Sequence, residues 1–224
     1  MIYFIIGIGY LIDIIFIVHD DKKHDGLSVV LKTLAAACFV TLAILLTDKA
    51  NNIELARYIV YALVFDLFGD FVLILRNVTK NHHDLIFILG TLCFFVGHIF
   101  LMIMLYKNDP SVIGKSLIYT TIVFVMFGLP LVLKFVEASK IFKVIGSIYI
   151  YFIVYIQVYG LLSLINLGTR FDYAFLFGYF LFAVSDLILI IQKFNKNASP
   201  VLQPIYRLSY FISQVLIALS IAYL

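Results

Sequence analysis

FAVSDLILII, Phe182–Ile191, holds nine residues suited to hydrocarbon or its border and one carboxylate, Asp186. A charged side chain deep in a bilayer costs roughly 2.5–3.5 kcal/mol even on the mildest insertion scale. The run ends a longer apolar stretch, 171–191, which as a helix rising about 1.5 Å per residue crosses a hydrocarbon core of ~30 Å. Whether that stretch lies in lipid decides the fold.

Composition answers for lipid. Of 224 residues, 64% are hydrophobic and 13% charged, and the mean hydropathy is +1.10. A soluble domain is nearer half apolar and about a quarter charged. A soluble core of this size could not hide so much apolar surface. Eight apolar stretches are expected to span, near 2–18, 27–46, 53–75, 84–105, 112–134, 141–165, 171–191 and 201–223. Short polar separators divide them: HDDKKHDG, TDKANN, RNVTKNHH, YKNDPS, EASK, NLGTR and QKFNKNASP. Transmembrane barrels need alternating strands of about ten residues, and nothing here alternates. The expectation is an all-α membrane protein, a bundle of eight transmembrane helices forming a single integral membrane domain, 1–224.

The first stretch, MIYFIIGIGYLIDIIFIV, lacks a basic leader and a small-residue cleavage site, so it reads as the first span. Cys38 and Cys93 lie inside apolar runs and read as packing residues. Basic residues set the orientation. Lys22, Lys23, Arg76, Lys80, Lys134, Lys140, Lys143, Lys193 and Lys196 lie on one side, and Lys49, Lys107, Lys115 and Arg170 on the other. Lys/Arg-rich loops stay cytoplasmic, which puts both termini on the non-cytoplasmic side. The formal charge of +3 gives no basis for a nucleic-acid partner, because the basic residues sit where membrane topology requires them.

GDFVLILRN (69–77) is similar to SDLILIIQK (185–193), which sets Asp70 over Asp186 at an offset of 116. The same offset sets His98 over Gln214, FFVGH (94–98) over YFISQ (210–214), and Lys80 over Lys196. Two parallel four-helix repeats, 1–108 and 109–224, would explain this. Chance likeness between apolar helices is the competing account.

Few polar residues lie within the spans. Asp66 and Asp70 are four apart and share a helix face. Asp186 follows Ser185, with Phe182 and Gly178 one and two turns earlier. His98 lies in the fourth span and Gln214 in the eighth, with Tyr210 and Arg207 on the Gln214 stripe. Lys32 lies early in the second span, near its cytoplasmic side. Lys32 and Arg207 have a snorkelling reading, His98 reads as a packed histidine, and Gln214 as a clasp between helices. Tyr151, Tyr155 and Tyr159, spaced i, i+4 and i+8, are either packing or an aromatic wall for a quaternary ammonium. The aspartates resist such readings. Three carboxylates cannot all ionise close together in a low-dielectric site, and an acid and a base of one residue type suit hydrolysis through an oxocarbenium-like state. No nucleophile elbow, Walker loop, zinc-spaced cysteine pair or His-x-x-x-His pair is present.

Asp66-Leu-Phe-Gly69-Asp70, Phe94-Phe-Val-Gly97-His98, Gly178-Tyr-Phe-Leu-Phe182-Ala-Val-Ser185-Asp186 and Tyr210-Phe-Ile-Ser-Gln214 together resemble the lysoplasmalogenase family of YhhN-like multi-pass membrane proteins. The resemblance extends over essentially the whole chain. Lys32 matches a lysine expected early in the second span, although Thr33 replaces the proline that often follows it. The resemblance implies hydrolysis of the vinyl ether of lysoplasmalogens, with no metal or organic cofactor. Asp70 and Asp186 would be the acid–base pair, in either order, with Asp66 in support. Lys32, His98, Tyr151, Tyr155, Ser185, Tyr210 and Gln214 would bind substrate or water. The partners implied are a lysophospholipid and membrane lipids; oligomeric state is not legible. The setting would be the cell membrane in a bacterium, or the endoplasmic reticulum in a eukaryote. Two other readings stand beside it: a metal-dependent lipid amidase or esterase of ceramidase type using Ser185, Asp186 and His98, and a small-solute or proton-coupled carrier.

Overall fold

The structure, a computed structural model, describes residues 1–79, 81–135, 139–194 and 199–224. Lys80 and Lys196, two of the basic residues weighed above, lie outside the described residues. Among the described residues there is no strand, and eight helices are long and apolar enough to cross a membrane. Lipid offers no partner for backbone N–H and C=O groups, so each span closes its own hydrogen bonds as a helix.

The residues divide into two compact units, Met1–Met104 with Gln214–Leu224, and Leu105–Ser213. The first contains α1 (Ile2–Asp20), α2 (Gly26–Thr47), α3 (Ile53–Val78) and most of α4 (His83–Asn108). Here α2 packs against both α1 and α3. Buried Ala35, Ala36 and Ala43 of α2, with Ala56 and Ala62 of α3, let helices approach closely where no hydrophobic force separates protein from lipid. Asp25 caps α2, accepting from the Leu27 and Ser28 amides at 3.0 and 3.2 Å, and Asn52 caps α3 through the Leu55 amide at 3.1 Å. His19 Nε2 lies 2.9 Å from Asp25 Oδ1. That bond, with the amide of Ser28, holds the Asp25 carboxyl below the usual aspartate range.

The second unit contains α5 (Ile113–Val123), α6 (Leu129–Phe135), α7 (Lys140–Leu167), α8 (Arg170–Phe194) and the start of α9 (Leu202–Ser220). Here α7 packs against α5 and α8. A π-helical turn, Phe124–Gly128, joins α5 to α6. Pro130 follows at once and has no N–H for the ordinary i−4 bond, a common cause of such irregularity. Gly168 ends α7 at φ +63°, a left-handed cap that a Cβ disfavours. Asp172 and Thr169 then start α8 by exchanging bonds: the Thr169 amide donates to Asp172 Oδ2 at 3.0 Å and the Asp172 amide to Thr169 Oγ1 at 3.2 Å.

Helix limits follow the sequence reading within a few residues. Like α3 and α8, α4 runs three residues beyond its expected end: expected to stop near 105, it reaches Asn108. Its last turn is held by side chains remote in sequence: Asn108 Nδ2 donates to Asp172 Oδ1 at 3.3 Å and to Ser163 Oγ at 3.4 Å.

Candidate functional site

In the first unit, α3 carries Asp66 and Asp70 on one face, 3% and 6% exposed. Gln214 Nε2 donates to Asp66 Oδ2 at 2.9 Å. Gly97 makes room for that carboxylate, since a Cβ there would lie 2.6 Å from Asp66 Oδ1 and 3.1 Å from the Ala62 carbonyl. The Gly97-His98 motif therefore has a steric meaning: its glycine leaves space for the first aspartate. His98 itself is buried. Gly69 serves its neighbour in the same way, with the Phe94 ring 2.6 Å from where its Cβ would stand. Lys32 Nζ lies 3.5 Å from Asp70 Oδ1 and 5.5 Å from the centroid of the buried Phe16 ring. An ammonium at that distance offsets a buried carboxylate's charge. Lys32, Asp66, Asp70, His98 and Gln214 thus belong to one unit, and the structure joins them in two pairs, Lys32 with Asp70 and Gln214 with Asp66.

In the second unit, Asp186 is buried and its Oδ2 accepts a hydrogen bond from the Tyr149 hydroxyl. Ser185 Oγ donates to the Tyr206 carbonyl at 2.9 Å, tying α8 to α9. Phe171, Phe175, Tyr179 and Phe182 stack in succession along α8 at 5.5 to 5.9 Å, and Tyr210 continues the series 5.9 Å from Phe182. The tyrosine stripe of α7 turns toward α5. Tyr151 Oη lies 3.3 Å from Thr121 Oγ1, Tyr155 accepts from Ser116 at 3.4 Å, and Tyr159 donates to the Asp109 carbonyl at 2.6 Å. Tyr149 and Tyr155 are six residues apart and so point to different sides of α7, which is why one reaches α8 and the other α5.

Sequence reasoning missed several residues. Tyr149 gave no signal beside three better-spaced tyrosines. Asp13 and Asp20, both fully buried, form with Gly9 and Phe16 the whole buried stripe of α1; Asp20 Oδ1 meets His24 Nδ1 at 3.0 Å. Their i, i+7 spacing was the signal available. Arg207 is also buried, at 6% exposure. Among the described residues, no group of three or more His, Cys, Asp or Glu side chains is placed to hold a metal ion.

Eight apolar helices with carboxylates buried inside them define a class of multi-pass helical membrane protein built around intramembrane acids. Within that class the chain belongs to the YhhN family, the lysoplasmalogenase-like family, which it matches over residues 27–221. The match takes in Lys32, Asp66, Asp70, His98, Asp186 and Gln214 and begins after α1. No curated protein and no solved structure matches the chain.

Proposed function

We propose that this protein is a membrane hydrolase that cleaves the vinyl ether bond of lysoplasmalogens, releasing a fatty aldehyde and a glycerophospho head group. Family membership supports the reaction class, since the family is associated with lysoplasmalogenase activity. The observation that carries the chemistry is the pair of buried motif aspartates with unlike partners, Asp70 with an ammonium and Asp186 with a phenol.

The mechanism needs one protonated and one ionised carboxyl. The protonated one gives its proton to the vinyl β-carbon, and the electron pair of the double bond forms that C–H bond. The carbon attached to oxygen becomes an oxocarbenium ion, which the ionised carboxylate stabilises. Water attacks that carbon and yields a proton to the carboxylate. The hemiacetal hydroxyl then gives its proton to the carboxylate that acted as donor, while the C–O bond to the glycerol breaks and the leaving oxygen takes the proton held by the other carboxyl, giving aldehyde and alcohol and restoring both groups. Asp70, offset by Lys32, suits the ionised role, and Asp186 the proton donor. Asp66, held by Gln214, supports the first. His98 and the tyrosines of α7 contribute to binding.

The test is fatty aldehyde release from lysoplasmalogen by purified protein, beside Asp70→Asn and Asp186→Asn. Full activity in both variants refutes the acid–base assignment, and no activity in the natural protein refutes the function.

A further inference from the structure

Four residues of α1 are buried, Gly9, Asp13, Phe16 and Asp20, and Phe16, 2% exposed, is the one large apolar side chain among them. Much of the helix faces outward, with Phe4, Leu11, Ile15 and Val18 exposed. What α1 buries of its apolar surface is therefore concentrated in a single ring. Lys32 Nζ lies over that ring, 5.5 Å from its centroid, and 3.5 Å from Asp70 Oδ1. The ring comes from α1 and the carboxylate from α3, the two helices that pack on α2, which carries Lys32. A lysine near the end of a span has another choice, because its flexible stem lets the ammonium snorkel to the membrane surface. An aromatic face within about 6 Å attracts an ammonium through the ring quadrupole, more strongly where water is excluded. The ring thus favours the ammonium beside Asp70 over the ammonium at the surface.

We propose that Phe16 is a positioning residue whose ring face holds the Lys32 ammonium on Asp70. Its effect on catalysis is exerted through Lys32 and rests on the hydrolase reading. The hold on Lys32 rests on two distances, the burial of the ring and the packing of three helices. The stretch matched to the family, residues 27–221, begins after α1, so family membership says nothing of Phe16. If the proposal holds, a helix that is mostly exposed helps set the charge beside one of the two motif aspartates.

Asp13 lies one turn from Phe16 on the same buried stripe, so the test must alter the ring's electrostatics and leave its shape. The experiment replaces Phe16 in the full chain by phenylalanines bearing one, two and three ring fluorines, which drain the negative face stepwise. Two readouts are taken in detergent: the rate of reductive methylation of the Lys32 amine, by mass spectrometry of its peptide, and kcat and KM for aldehyde release from lysoplasmalogen. An amine held at Asp70 is shielded and methylated slowly. Each fluorine is expected to speed methylation of Lys32 and lower kcat, reaching about fivefold for three, with KM within about twofold. The same series at Phe4 is expected to move neither. Phe16→Leu removes the ring and is expected to go at least as far; the fluorinated series decides if that variant does not fold. In a protein that releases aldehyde, a flat series in either readout overturns the proposal and keeps the hydrolase reading. In one that releases none, a trend at Lys32 keeps the hold of Phe16 on the ammonium and removes the hydrolase reading, and a flat series overturns both.

Discussion

Asp70 and Asp186 sit in comparable places and keep different company. Each lies toward the C-terminal end of its helix, is 6% exposed, and takes a partner from the preceding membrane-spanning helix: Lys32 of α2 for Asp70, Tyr149 of α7 for Asp186. The offset of 116 that sets one aspartate over the other sets Lys32 over Ile148, beside Tyr149. The seats correspond, and the charge of the partner does not. An ammonium brings a charge to its aspartate, and a phenol brings a hydrogen-bond donor. Two like residues in like seats thus differ in the chemistry of a neighbour each.

The hardest blow to this comparison is removal of either acid. Asp186→Asn and Asp70→Asn are each expected to lower the rate of aldehyde release per folded molecule by about a hundredfold or more, and Asp70→Asn, which strands the Lys32 ammonium, should also unfold earlier in detergent. Lys32→Met separates the two seats further. It leaves a buried carboxylate without its ammonium, which costs about 3 kcal/mol or more, so thermal unfolding in detergent should come early. The control is Asp172, on the same helix as Asp186 and also buried. It accepts from Thr169 N, Thr169 Oγ1, Ser163 Oγ and Asn108 Nδ2. Asp172→Ala removes a helix cap and strands those donors, for a stability loss of about 2 kcal/mol, yet activity per folded molecule should stay within about twofold. Loss of catalysis without loss of stability there would erase the distinction between a structural and a chemical aspartate.

A smaller effect is expected at Tyr149. Tyr149→Phe keeps the ring and removes the donor to Asp186, for a loss of about tenfold in rate, or ~1.4 kcal/mol. The smallest effect is confined to the turn between α1 and α2. Asp25 has a folded-state carboxyl held below its ordinary value of 3.8, so its contribution is present above that value and lost as pH falls through the lower folded one. Protection of the Leu27 and Ser28 amides, taken against the intrinsic exchange rate at each pH, should be steady above about pH 4 and fall below it; a fall that begins near neutrality would place the control elsewhere.

The spans and the two principal acids were legible in the chain for one reason. In a sequence that is 64% hydrophobic, an aspartate cannot be hidden, and only a helix lets an apolar run of some twenty residues satisfy its backbone in lipid. The glycines of Gly69-Asp70 and Gly97-His98 were visible as motif, while their purpose, space for the Phe94 ring and for the Asp66 carboxylate, required the packed helices. Tyr149 and Arg207 had no such visibility. A tyrosine is ordinary in a membrane helix, and an arginine five residues into α9 reads like one reaching for the interface. The partner of Tyr149 is 37 residues away in sequence, and a period of 3.6 says which residues share a face without saying what that face meets. By itself, then, the sequence determined eight membrane-spanning helices and the cost of placing Asp70 and Asp186 within them. Tertiary structure decided which neighbour each acid keeps, because side chains brought together by packing between helices leave no periodic trace along the chain.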